Sequence, residues 1–461
     1  MRPALGGRGD VASVHGAWHA SHASRPHGPT DHIPFDEPRC VPVGSASVRL
    51  VSSVSSPVPD VSGPWQDAAR GAALLDADGR GRPTIFAEMS ALSLATGAVN
   101  LGQGFPDYAG PQEVLDAAVA AIRAGRNQYP PGRGVPELLD AIAEHHDRFY
   151  GIALDPKTDV LVTAGATEGL AAIFLALVRP GDEVVCFEPY YDAYGADIAR
   201  AGGVQVNVPL RWRPATLTDA ATFVLDPADL RAACSERTRM IVVNTPHNPT
   251  GTISRDSTLE LIAELARAHN AIVVSDEVYE HLMFGVPHHP MAWFAPERTL
   301  TLGSGGKTFS VTGWKCGWIT GPAELIDAVI GMKQWLTYVN GAPFQPAIAT
   351  GLRLPDAVYT RGADELRDRR DLLCSALSEV GFEVALPDAG YFVIADAAPL
   401  GAVDGDAFCR GLPERCGVVA IPVTAFCAPG RDDLATLVRF AYCKSDDTLA
   451  EAARRLRTLT R

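Results

Sequence analysis

Lysine is scarce in this sequence. Of 40 basic residues in a chain of 461, five are lysine: Lys157, Lys307, Lys315, Lys333 and Lys444. Chemistry that needs a side-chain primary amine therefore has five candidates. Long apolar runs are also missing. The best, residues 170–178, stops at Arg179-Pro180-Gly181, well short of the roughly 18–20 residues a membrane span needs. The N-terminus carries no compact apolar segment of the secretory kind. Nine cysteines run from Cys40 to Cys443 without one CxxC pair. That speaks against zinc ligation, so no metal is expected, and it fits reduced thiols in a cytoplasmic setting. Basic charge is in deficit, 40 against 54 acidic residues, for a net charge of −14. A nucleic-acid or anionic-membrane partner is not expected.

What is present divides the chain. Residues 1–75 are rich in Gly, Pro, Ser and Ala and hold five of the twelve histidines, with no helical or strand period. They read as a disordered extension. The alternatives are a translated stretch upstream of the true start and a targeting peptide, against which Asp10, Asp31, Asp36 and Glu37 count. From about 110 to 345, short apolar runs bounded by Gly, Pro or Asp alternate with helical patterns. Strands are expected at 160–163, 183–187, 240–244, 271–275 and 299–303, with helices at 168–178, 191–201, 227–234 and 257–269. That alternation implies an α/β fold with a mostly parallel sheet covered on both faces. Beyond 350, a long helix (361–380), short strands (383–385, 391–394, 418–421, 437–442) and a last helix (446–459) read as a smaller α+β domain.

In parallel sheets, ligands sit beyond the carboxyl ends of the strands. After 160–163 come Gly165, Ala166 and Thr167, small residues opening a helix whose N-terminus favours an anion. After 240–244, two prolines and Gly251 frame Asn248. After 271–275 stands Asp276, costly to bury unless paired, with Tyr279 three residues on. After 299–303 come Ser304, Gly305, Gly306 and Lys307, then Lys315. A lysine in a Gly-rich turn at a buried strand end loses solvation, and its amine becomes nucleophilic. Together these offer an anion cup, a partner for a protonated ring nitrogen, a partner for a phenolic oxygen and an aldehyde-capturing amine. Those are the needs of pyridoxal 5'-phosphate.

The motifs 100–107 (NLGQGFPD), 127–132 (NQYPPG), 188–192 (EPYYD), 244–251, 276–279, 304–307, 312–315 and 438–440 resemble the class I/II pyridoxal-phosphate-dependent aminotransferases of fold type I. The likeness spans about 85–459. It is nearest to the branch of N-succinyldiaminopimelate aminotransferases of actinobacterial type and of kynurenine/glutamine aminotransferases. The resemblance implies an arm at 76–110, a large cofactor-binding domain at 111–345 and a small domain at 346–461. It also implies site roles. Lys307 is the Schiff-base lysine and moves the α-proton. Asp276 pairs with the ring nitrogen, Tyr279 and Asn248 with the ring oxygen, and Tyr191 stacks on the ring. Gly165, Ala166, Thr167, Ser304 and Lys315 hold the phosphate. Arg439 clamps the substrate carboxylate, with Gly104 and Asn248 beside it. Tyr129 and Phe344 reach a neighbouring subunit's site, so a homodimer is implied. Segments 86–90, 341–346 and 420–426 look most like the succinyldiaminopimelate type, and Arg133 and Gln345 are candidates for a remote substrate carboxylate. The alternatives are a broad kynurenine/glutamine aminotransferase, a cysteine-S-conjugate β-lyase and, more remotely, a ligand-sensing regulator.

Overall fold

Runs of buried Val, Ile and Leu make the central strands, and their two-residue period sorts them onto two faces. In the computed structural model, which describes residues 61–459, Glu183–Glu188 sends Val184 and Cys186 to one side and Val185 and Phe187 to the other. The first side packs on helix Gly165–Leu177, the second on Asp256–Ala268. Each Val, Leu or Ile fully buried in these layers contributes about 1.5–3 kcal/mol relative to exposure.

The sheet has eight strands. Their spatial order is Val160–Thr163, Gly317–Thr320, Thr299–Ser304, Ile272–Asp276, Thr238–Asn244, Glu183–Glu188, Val204–Arg213 and Thr222–Leu225. The middle strands pair in parallel. Gly317–Thr320 runs antiparallel to both neighbours, as does Thr222–Leu225 to its one neighbour. The register aligns the functional ends. Asn244 lies opposite Asp276, while Gly317 lies opposite both Ser304 and Thr163.

A second sheet is antiparallel throughout: Glu383–Ala385, Phe392–Asp396, Leu437–Ala441 and Ile421–Pro422. Leu366, Leu373 and Leu377 of helix Asp356–Val380, with Leu449 and Leu456 of Asp446–Leu456, share its core. Arg439 sits in the middle of Leu437–Ala441, between Ile394 and Ile421.

Two expectations need correction. Residues 418–421 do not form one strand. Val418–Val419 pairs in parallel with Val99–Asn100, whereas Ile421–Pro422 joins Leu437–Ala441, so the chain changes sheets at Ala420. The expected disordered extension of 1–75 is also too long. Residues 1–60 lie outside the described residues, but Trp65–Gly71 is a helix packed on Ala193–Arg200. None of its residues is buried, and the contact depends on missing side chains. A Cβ on Gly71 would come within 2.1 Å of the Gly195 carbonyl oxygen. An interface made of two glycines leaves no apolar period to read. No helix among the described residues is long and apolar enough to cross a membrane.

Candidate active site

The aligned strand ends, the turn before Gly165 and the second sheet enclose a cavity of about 400 Å³, within the roughly 300–1,000 Å³ range of small-molecule sites. Gly104, Gly165, Ala166, Thr167, Tyr191, Asn248, Asp276, Tyr279, Ser304, Lys307, Lys315 and Arg439 all line it. Tyr129 and Phe344, which the resemblance assigns to a neighbouring subunit's site, do not line it. Tyr129 is exposed, its ring 5.8 Å from that of Tyr338, and Phe344 stacks on Trp314 at 4.7 Å.

The anion cup forms where the chain leaves Val160–Thr163. Gly165 adopts a φ of +74°, a left-handed conformation that favours glycine, and this aims the first turn of Gly165–Leu177 at the cavity. Lys315, itself left-handed at φ 51°, brings its Nζ within 3.5 Å of where a Gly165 Cβ would stand. A side chain there would fill the cup.

Asp276 ends Ile272–Asp276, held by Asn244 Nδ2 donating to its carbonyl at 2.8 Å. Its Oδ2 accepts from the Tyr194 hydroxyl at 2.7 Å, while Oδ1 is buried without a partner. Burial raises the Asp276 pKa, opposed by the Tyr194 bond and the Lys307 charge. An unpaired buried carboxylate oxygen fits a cationic donor such as a pyridinium N–H.

Lys307 rises from the turn Gly305–Thr308. Its Nζ donates only weakly, at 3.3 Å, to the Gly104 carbonyl, and lies 5.5 and 5.2 Å from the Tyr279 and Tyr391 ring centres. Burial lowers its pKa, with Asp276 opposing. Burial likewise raises that of the Tyr279 phenol, which stays protonated and able to donate.

Arg439 is 1% exposed. Nη2 donates to the Gly102 carbonyl at 2.8 Å and Nη1 to Asn248 Oδ1 at 3.1 Å, while Nε has no partner. Phe392 and Phe426 flank the guanidinium at 3.9 and 4.4 Å, and burial lowers its pKa to about 10. The close approach explains Gly104: a Cβ there would meet the Phe392 ring at 2.3 Å.

Sequence reasoning missed Gln103, Asp192, Phe86 and Phe392, which line the cavity, as well as Tyr194, bonded to Asp276, and Phe426, beside Arg439. The signal for Tyr194 was its place three residues after Tyr191, one helical turn on. Arg133 and Gln345 are both elsewhere. Arg133 pairs with Asp327 at 2.7 Å and donates to the Thr158 carbonyl. Gln345 is buried between the Val135 amide and the Asn340 carbonyl.

An amine, an anion cup and an orphaned carboxylate at the strand ends of an α/β sheet define a pyridoxal-phosphate-dependent transferase of fold type I. Residues 96–456 match the profile of the family described as aminotransferase class I and II, and the chain belongs to that family. It is 50% identical over 386 residues to the probable N-succinyldiaminopimelate aminotransferase of Mycobacterium tuberculosis, covering 82% of this chain and 96% of that one. It is 37% identical over 397 residues to mouse kynurenine–oxoglutarate transaminase 3, covering 80% and 86%. The solved structure of the N-succinyldiaminopimelate aminotransferase from Mycobacterium tuberculosis superposes with a TM-score of 0.80 at 49% identity, over 85% of this chain and 99% of that one. The protein is an aminotransferase that uses pyridoxal phosphate and takes amino-acid and 2-oxo-acid substrates.

Proposed function

We propose that the protein moves an amino group between N-succinyl-LL-2,6-diaminopimelate and 2-oxoglutarate, in the cytoplasm, as a homodimer. The observation that carries the substrate is the 50% identity, over nearly the whole length of the relative, to a probable N-succinyldiaminopimelate aminotransferase. The lower identity to the kynurenine enzyme makes a broad aromatic specificity the second reading. Exposed Tyr129, Tyr338 and Trp335 support a subunit contact near the site.

The residues divide the work as follows. Bound pyridoxal phosphate supplies an electron sink for the pair left behind when the substrate's α-proton departs. Lys307 Nζ, lowered in pKa by burial and with one long carbonyl contact, would hold the cofactor's aldehyde carbon and carry that proton. Asp276, its Oδ2 fixed by Tyr194 and its Oδ1 unpartnered, would accept from the ring N–H and keep the ring protonated. Tyr279 and the Asn248 amide would donate to the ring oxygen, Tyr191 would cover the ring, and the Gly165–Thr167 turn, Ser304 and Lys315 would hold the phosphate. Arg439 forks the substrate α-carboxylate, oriented by Gly102 and Asn248 and screened from water by Phe392 and Phe426.

The test compares kcat/KM for N-succinyl-LL-diaminopimelate, kynurenine, glutamine and methionine. Preference for the succinylated substrate by at least about tenfold, roughly 1.4 kcal/mol in transition-state binding, is expected. A smaller margin leaves the broad reading standing.

A further inference from the structure

Six buried side-chain polar atoms lack partners among the described residues, and four of them fall in two places. Two, on Asp276 and Arg439, line the active-site cavity; two others, His145 Nδ1 and His288 Nδ1, belong to a second cluster. That cluster is built from helix Pro136–Tyr150 and the segment running on from Asp276. Asp276 and Tyr279 of that segment line the cavity, whereas Glu277, Glu280 and His281 do not.

The groups of the second cluster divide into satisfied and unsatisfied ones. Glu277 takes bonds from Ser275, His288 and the Met291 amide. His146 bonds the Ile142 carbonyl and Thr320. His145 and His281 have instead turned Nε2 toward Nε2, 2.6 Å apart, inside the roughly 2.7–3.2 Å usual for a nitrogen donor. The two Nε2 atoms have only each other as partners, and His145 Nδ1, on the far side of the ring, has none. One ligand atom from each of His145, Glu280 and His281 lies within 4.8 Å of the other two. His145 and Glu280 are buried.

We propose that His145, Glu280 and His281 bind a divalent transition-metal ion of the zinc class. Two imidazoles and one carboxylate are a donor set zinc accepts, with a fourth position for water. Tetrahedral ligation separates the two nitrogens by roughly 3.3 Å, a small opening that half-buried His281 can make. Tyr150 donates to Glu280 Oε2, the outer contact that orients a ligating carboxylate. Access runs through a cavity of about 210 Å³ lined by His281, Phe309 and Tyr359. The ion acts structurally: it pins the far side of the segment whose near side carries Asp276 and Tyr279.

The test uses the full-length holoenzyme, stripped with a chelator and titrated with Zn²⁺ or Co²⁺. Uptake of one equivalent, with the visible bands of four-coordinate cobalt, is expected. His145→Gln and His281→Gln should each weaken zinc uptake by at least about tenfold, while the cofactor absorbance stays that of the wild type. Failure of the wild type to take up zinc overturns the proposal. So does unchanged uptake in both variants, which would place the ion at the cofactor or on the surface. Should the variants not fold, anomalous diffraction from zinc-soaked wild-type crystals decides. A peak between the three side chains supports the site, and a peak elsewhere or none refutes it.

Discussion

Buried charge is treated in opposite ways in two regions of this molecule. Beside the cavity, Lys307 has one long carbonyl contact and Asp276 has an oxygen with no partner. Away from it, Lys333 donates to the carbonyls of Gly132 and Tyr338, and Glu277 is bonded by three donors. Burial lowers the pKa of both lysines. Desolvation alone therefore does not separate a reactive amine from a structural one. What separates them is whether the fold completes the hydrogen bonding or leaves it for a ligand.

The strongest way to break this contrast is Lys307→Ala. Turnover should fall by about a thousandfold or more, and borohydride reduction of the wild type followed by peptide mapping should label Lys307. A label on Lys333 or Lys444 would reverse the contrast. Next comes Tyr194→Phe, which removes the one side-chain donor to Asp276. With a hydrogen bond to a charged group at stake, kcat should drop about tenfold with the fold retained; an unchanged kcat would show that Asp276 needs no anchor.

Lys333→Met should act on stability instead. Removing the buried ammonium loses its two hydrogen bonds to the Gly132 and Tyr338 carbonyls, at a cost of about 1–3 kcal/mol, read as a lower urea midpoint, with kcat little altered. The smallest effect is in its pH dependence. The folded pKa of Lys333 lies below the usual 10.5, so between those two values the unfolded chain holds more protons. Wild-type stability should rise with pH across that window relative to Lys333→Met. A gap that narrows toward alkaline pH would mean that Lys333 is not desolvated.

The strand ends were legible because buried strands announce themselves as short β-branched runs, and each ran straight into its functional residue. Asn248, Asp276 and Lys307 fall where that reading put them. Gly317–Thr320 did not stand out, since four residues without turn signals on both sides resemble loop. Arg133 looked free because its partner, Asp327, is 194 positions away in sequence. Tyr194 was hidden for a related reason: a tyrosine's role depends on what it meets, and its partner is a strand end 82 residues later. Helix Trp65–Gly71 escaped notice because glycine against glycine leaves no pattern.

The register that sets Asn244 opposite Asp276, and Gly317 opposite Ser304 and Thr163, has a consequence for what the protein can become. Neighbouring strands stand about 4.8 Å apart, and side chains change face at every residue. The groups that meet a ligand's ring and its phosphate are therefore spaced in fixed steps, like marks on a ruler. Such a ruler cannot be stretched by a fraction of a step, and a one-residue slip would turn Asp276 to the other face. A descendant of this chain can change what it grips by replacing side chains on the loops and on the second sheet. It cannot easily change the length of the ring-and-phosphate unit it measures.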